Sequence, residues 1–210
     1  MAAVITPPET RIILENISWE TYERLLAERG DRAGRRFAYD DGCLEIMVPL
    51  LEHEEPAFAL NSLVEQVAAE LNINFRRAGS TTFKREDLAK GFEPDASFYI
   101  QNHLRVKGKK RIDLTVDPPP DLVIEVDVTN SSLPRFPIFA GIGVPEVWRY
   151  DGERVRFYLL EEGRYVETQH SAALPPLTGE VATRFLREND ELDSTEWMRA
   201  VRSWARSQAG

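Results

Sequence analysis

The chain has 210 residues, 42% apolar and 29% charged, with 26 Lys and Arg against 35 Asp and Glu and a formal charge of −9. That length can bury a sizeable core, and no apolar run approaches the roughly 20 residues needed to cross a bilayer, which excludes an integral helical membrane protein. The acidic balance excludes a protein that coats nucleic acid by bulk charge.

The opening segment, MAAVITPPETR, has neither the basic start nor the apolar stretch of a secretory signal. The one cysteine, Cys43, cannot form an internal disulfide. Both features predict a cytoplasmic protein with no membrane partner. The charge is uneven. Residues 76–111 hold ten Lys and Arg against four acids, a net of +6, which leaves 16 against 31, a net of −15, elsewhere. Such a basic segment is either a phosphate-facing surface or a solvated hairpin with a Lys-rich tip.

Ser18 is placed to cap a helix running to about Arg29, with Tyr22, Leu25 and Leu26 at helical spacing. Segments 35–39 and 43–48 flank Asp40-Asp41-Gly42, a hairpin signal. A second helix is expected over about 54–71, with Phe58, Leu60, Leu63, Val64, Val67 and Leu71 as its apolar stripe. Segments 76–84 and 94–100 read as strands, and 121–128 as a more apolar, central one. Ser131 and Ser132 are placed to cap a short helix reaching Ala140, with Pro134 in its first turn. Strands at 144–150, 154–160 and 164–168 follow, separated by Asp151-Gly152 and Glu162-Gly163, and the C-terminus is helical. This order predicts one α/β or α+β domain over 1–210 on a mixed sheet. It reads as an N-terminal helix and hairpin (1–50), a core (51–160) and a C-terminal hairpin with helices (161–210). Trp148, Tyr150, Trp197 and Trp204 sit at core-like periodicities.

The chemistry concentrates in GFEPDASFYI (91–100) and PPPDLVIEVDVTNSS (118–132). Period-two alternation puts Leu122, Ile124, Val126 and Val128 on one face of a strand and Asp121, Val123, Glu125 and Asp127 on the other. Two carboxylates on one face of a buried strand are costly unless paired or bound to a cation. An antiparallel pairing centred near Lys110 would put Asp95 opposite Glu125, about 5 Å apart at Cβ. Such an oxygen cluster, with the Val126 carbonyl beside it, suits Mg²⁺ or Mn²⁺. Alternatively, the acids sit at the sheet rim and pair with Arg76, Lys84 or Arg135. In the hairpin geometry the basic tip, residues 105–111, lies about 17 Å from the acids.

These segments, with GVPEVWRYDG (143–152) and MVPLLEHE (47–54), resemble the Uma-type restriction endonuclease-like family of the PD-(D/E)XK nuclease superfamily. The resemblance runs from about Ser18 to about Tyr158. It implies a restriction endonuclease-like αβββαβ core, a mixed central sheet flanked by helices, and Mg²⁺- or Mn²⁺-dependent hydrolysis of DNA phosphodiesters. It also implies that Asp95 and Glu125 are catalytic metal ligands, with the Val126 carbonyl as a third donor. His53 and Glu54 match the polar positions opening the first core helix, where they either serve the reaction or cap the helix. Asp127 stands where the motif has its Lys, and Arg135 matches the position to which that Lys has moved in many members. Arg cannot be a general base. Lys84 is either a substitute or an exposed strand-end charge. Lys84, Arg105, Lys107, Lys109, Lys110 and Arg111 are the candidate nucleic-acid contacts. A catalytically silent nucleic-acid-binding module on the same fold is the alternative that Asp127 and Arg135 motivate. The −15 outside the basic segment, with the aromatic C-terminal helix, motivates a protein-interaction or homodimer-forming domain.

Overall fold

The computed structural model describes residues 10–30, 34–49, 51–128 and 134–208, and the Ser131–Ser132 cap lies outside them. Strand β1 (Thr10–Leu14) leads into helix α1 (Trp19–Arg29). The Thr21 N–H donates to the Ser18 hydroxyl at 3.2 Å, and Gly30, at φ +58°, ends the helix. Strands β2 (Arg36–Asp40) and β3 (Cys43–Val48) form the expected hairpin. Asp41 and Gly42 at its turn both have positive φ, which suits the right-handed twist of the flanking strands.

Helix α2 (Leu51–Glu70) starts three residues earlier than expected and carries Pro56 inside it. Leu60, Leu63, Val64 and Val67 are buried, but Phe58 is 65% exposed and does not belong to the stripe. Phe58 therefore faces away from the buried side of the helix.

The single strand expected over 76–84 is two short strands in different sheets, β4 (Arg76–Arg77) and β5 (Phe83–Arg85). A turn through Gly79, at φ +58°, separates them. Strands β6 (Lys90–Phe92) and β7 (Ala96–Tyr99) also belong to different sheets. The chain crosses between sheets at Glu93-Pro94-Asp95, where Pro94 has no N–H to give to a ladder.

The stretch between β7 and β8 (Leu122–Val126) is not an extended hairpin tip. It contains helix α3 (His103–Val106) and folds back. Arg76 donates to the carbonyls of Val106 and Lys109, and Lys109 pairs with Asp117. Helix α4 (Arg135–Ile142) begins after Pro134. Pro137 stands at its third position, where an N–H would have no partner in the helix. Strands β9 (Glu146–Tyr150), β10 (Val155–Glu161) and β11 (Arg164–Thr168) and helices α5 (Gly179–Glu191) and α6 (Ser194–Gln208) complete the chain.

The fold is α+β, with two sheets rather than one. An antiparallel sheet has the order β1-β3-β2-β6-β5, and a mixed sheet has the order β11-β10-β9-β8-β7-β4. In the mixed sheet only β8 and β9 run parallel, joined by the α4 crossover. Helices α2, α5 and α6 cover one face of it over Phe98, Leu122, Ile124, Trp148 and Phe157. The other face, with Tyr99, Val123 and Val147, packs with α4 against Ala38, Phe83 and Phe92 of the antiparallel sheet. Helix α1 covers the outer face of that sheet over Phe37, Tyr39 and Leu44. Trp148 and Trp197 are buried and Tyr150 and Trp204 pack against the same core, as their periodicity predicts.

Candidate active site

Strand β7 pairs with β8 in antiparallel register, Ala96 with Ile124 and Phe98 with Leu122. One residue further, this register sets Asp95 opposite Glu125, as the spacing predicts. The alternation also holds: Leu122, Ile124 and Val126 face α2, whereas Val123 faces α4. Glu125 and Asp127 therefore lie on the face turned toward the antiparallel sheet.

That facing sheet supplies the charges that meet them. In β2, Arg36 shares a face with Ala38, and in β3, Glu45 lies opposite Ala38. Arg11 of β1 lies opposite Met47, on the same side as Glu45. The Arg36 guanidinium donates to Asp95 Oδ1, and also to Glu54 Oε1 at 2.8 Å. Val126 N–H donates to Asp95 Oδ2 at 2.6 Å. His53 Nε2, on the first turn of α2, lies 3.5 Å from Asp95 Oδ2. Arg135 of α4 reaches Glu45 Oε1 at 2.6 Å, and Arg11 reaches the same oxygen at 3.5 Å. Arg149 of β9 donates to Asp127 Oδ2 at 2.6 Å, with Arg11 3.7 Å from Oδ1.

This chain of alternating charge leaves Asp127 Oδ1 buried without a hydrogen bond, with Arg11 3.7 Å away, and Glu125 less well served. Glu125 Oε1 is buried and has no hydrogen-bond partner. Burial, and then the charge of Asp95, push the Glu125 carboxyl up to about 8, against the pull of Arg135 and Arg36. Burial also raises Asp95, while Arg36, His53, the Val126 N–H and Arg135 hold it down. Arg135 Nη1 is buried without a hydrogen-bond partner as well.

Among the described residues no three His, Cys, Asp or Glu side chains are grouped as a ready metal cage. Two facing carboxylates, one with an orphaned oxygen, instead fit a magnesium-type ion, which keeps several waters and uses one or two carboxylates.

Two cavities adjoin the carboxylates. One, of about 330 Å³, is lined by Glu125, Asp127, Arg11, Arg149, Phe136 and Met47 among others. The other, of about 690 Å³, lies beyond Arg36 and Glu54 and is lined by Arg29, Arg35, Ser80, Thr81 and Thr82. The model of the Uma2 family, described as "Putative restriction endonuclease", matches residues 19–188. The chain belongs to that family. No curated protein matches it.

The Uma2 match takes in Arg36, Glu45, His53, Glu54, Asp95, Glu125, Asp127, Arg135 and Arg149, but stops short of Arg11. The structure draws together His53, Glu54, Asp95, Glu125, Val126, Asp127 and Arg135. It separates Lys84 from them. Phe83 faces the inner core, so Lys84 points to the outer face and pairs with Glu23 of α1. Lys84 therefore cannot replace the motif lysine. Arg105, Lys107, Lys109, Lys110 and Arg111 are exposed on the β7–β8 connection, at the ends of those strands away from Asp95 and Glu125. The rim acids do not pair with Arg76, which holds the 106–109 backbone.

Sequence reading missed Arg11, Arg36, Glu45 and Arg149. Glu45 carried the same signal as Glu125, a carboxylate within an alternating apolar strand. The arginines carried none, because surface arginines are common on strand ends. No helix among the described residues is long and apolar enough to cross a membrane.

Proposed function

We propose that the protein is a metal-dependent endonuclease that hydrolyses DNA phosphodiester bonds at Asp95 and Glu125. The observation that carries this reading is Glu125 Oε1, buried without a hydrogen-bond partner, on the residue that faces Asp95 across two paired strands. Burying two carboxylates together costs stability; Arg36 offsets the charge of Asp95, and a proton or a cation would offset that of Glu125.

A magnesium-type ion held by Asp95, Glu125 and the Val126 carbonyl would supply an activated water and charge neutralisation. The Val126 N–H and Arg36 orient the Asp95 carboxylate. Arg135, fixed by Glu45, keeps Nη1 for a phosphate oxygen and stabilises the charge that develops on it. It takes the electrostatic part of the motif lysine and leaves the proton-accepting part to other groups. Glu54 and His53 stand on the Arg36 side of Asp95, where a carboxylate or imidazole accepts a proton from water. The larger cleft, with the exposed Arg35 and three hydroxyl side chains, receives the sugar-phosphate backbone. The basic β7–β8 connection meets phosphates farther along the chain.

The test is nicking of supercoiled DNA with Mg²⁺ or Mn²⁺, in the wild type and in Asp95→Ala and Glu125→Ala. Metal-dependent nicking lost in both variants is expected. Equal nicking in all three would overturn the assignment.

A second reading has its own support. Arg36 already occupies Asp95 Oδ1, and Asp127 in the lysine position is committed to Arg149. A silent nucleic-acid-binding module would bind DNA with a salt-dependent affinity, but would cut nothing at any divalent-ion concentration.

A further inference from the structure

The 330 Å³ cavity is the feature that phosphodiester hydrolysis alone leaves unused. It opens beside Glu125, yet much of its wall is apolar: Phe136, Phe139 and Met47 form that side, and Arg11, Arg149 and Asp127 form the polar side. Its size is at the lower end for small-molecule sites and of the order of one nucleotide. A groove that only tracks phosphates needs cations and hydroxyls, like the larger cleft, and has no use for aromatic walls.

The wall is built rather than left over. Phe136 is partly buried, and its ring is braced by Tyr158 and Tyr165, each with its centroid 4.9 Å away. Neither tyrosine lines the cavity, so both hold the ring from outside it. Phe139 is braced in the same way by Phe92, at 4.7 Å. On the polar side, Arg149 has a side chain 37% exposed and Asp127 one 12% exposed, joined at 2.6 Å. Together they offer neighbouring donors and an acceptor to one planar group. A planar, hydrogen-bonding ring attached to a phosphodiester is a nucleobase.

We infer that this cavity takes the base of the nucleotide next to the scissile phosphate, turned out of any stack, so that the preferred substrate is single-stranded or locally unpaired nucleic acid. The inference rests on the proposed nuclease reading and names its substrate class. Phe136 offers the stacking face, while Arg149 and Asp127 meet the hydrogen-bonding edge of the base. A paired duplex must break a base pair to fill the pocket, whereas a single strand or a mismatch need not. The pocket also adjoins Glu125 directly, so a seated base brings its own phosphate to the carboxylates.

The experiment compares Mn²⁺-dependent cleavage of a single strand, a perfect duplex and a duplex with one mismatch, by wild type and Phe136→Leu. Leucine keeps an apolar side chain against Tyr158 and Tyr165 but loses the stacking face. The single strand and the mismatch should be cut roughly tenfold faster than the perfect duplex. Phe136→Leu should raise KM on the single strand roughly tenfold with kcat nearly unchanged, and Phe136→Tyr should restore it. Equal rates on all three substrates with Phe136→Leu silent would overturn the pocket while leaving the nuclease reading intact.

If the wild type cuts none of them, the nuclease reading fails, and the pocket is read by binding instead. A single strand carrying 2-aminopurine should then change its emission on binding wild type but not on binding Phe136→Leu. Unchanged emission with the wild type would overturn the pocket.

Discussion

The N–H of Val126 donates to Asp95 Oδ2 at 2.6 Å, so the carboxylate of one strand is held by the residue that follows Glu125 on the next. One candidate metal ligand is thereby held by the backbone beside the other. Preorganisation of this kind is what a hydrolytic site needs, because any later reordering subtracts from the rate. It also means that replacing Glu125, whose Oε1 has no hydrogen-bond partner, can remove activity without lowering stability.

Glu125→Gln should abolish cleavage and leave the fold as stable as wild type or more so. The amide matches the protonated carboxyl in volume, and above about pH 8 it also removes an unpartnered charge and its repulsion with Asp95. Thermal unfolding should show an equal or higher Tm, alongside loss of DNA nicking by at least a hundredfold. A Tm several degrees lower would show that Glu125 has a stabilising partner.

Stability should fall as pH rises through the site's titration. The Glu125 carboxyl titrates near 8 in the folded chain, against an ordinary value of 4.5. Between those values the folded state holds the proton and the unfolded state does not, so the contribution is complete below 4.5 and is lost as pH rises through about 8. Urea denaturation from pH 5 to pH 9 should show this decline, and Glu125→Gln should flatten it.

A divalent cation should reverse that decline, because it replaces the proton between the carboxylates. Mg²⁺ or Mn²⁺ should raise Tm more at pH 8.5 than at pH 6, in proportion to the logarithm of its concentration above Kd. Asp95→Ala should lose the effect. A Tm rise of equal size at both pH values would place the ion elsewhere.

Arg36→Ala should be among the costliest substitutions at the site. It leaves the buried Asp95 without its main counter-charge and frees Glu54. Removing one partner of a buried pair costs about 3–5 kcal/mol. Chemical denaturation should show that loss, and Arg36→Lys should recover part of it.

The basic β7–β8 connection should govern affinity and not chemistry. Replacing Lys107, Lys110 and Arg111 with Gln should lower the slope of log affinity against log salt by nearly one for each phosphate that is no longer neutralised. Cleavage at low salt and saturating DNA should be unchanged. An unchanged slope would remove this surface from the nucleic-acid interface.

Local pattern by itself determined the Asp41-Gly42 hairpin, the Ser18 cap and the two faces of β8. Each follows from a period of two or 3.6, or from one turn residue, and such signals act over a few residues. Tertiary structure alone decided that segment 76–84 divides between two sheets and that the chain changes sheets at Pro94. It also turned Lys84 outward and folded residues 105–111 back. The partners of the site belong to the same class. Arg36 reaches Asp95 across 59 positions and Arg135 reaches Glu45 across 90. No periodicity spans such separations. Those pairs form because burying one face of each sheet brings the charged residues on both faces together, away from water, where they must satisfy one another.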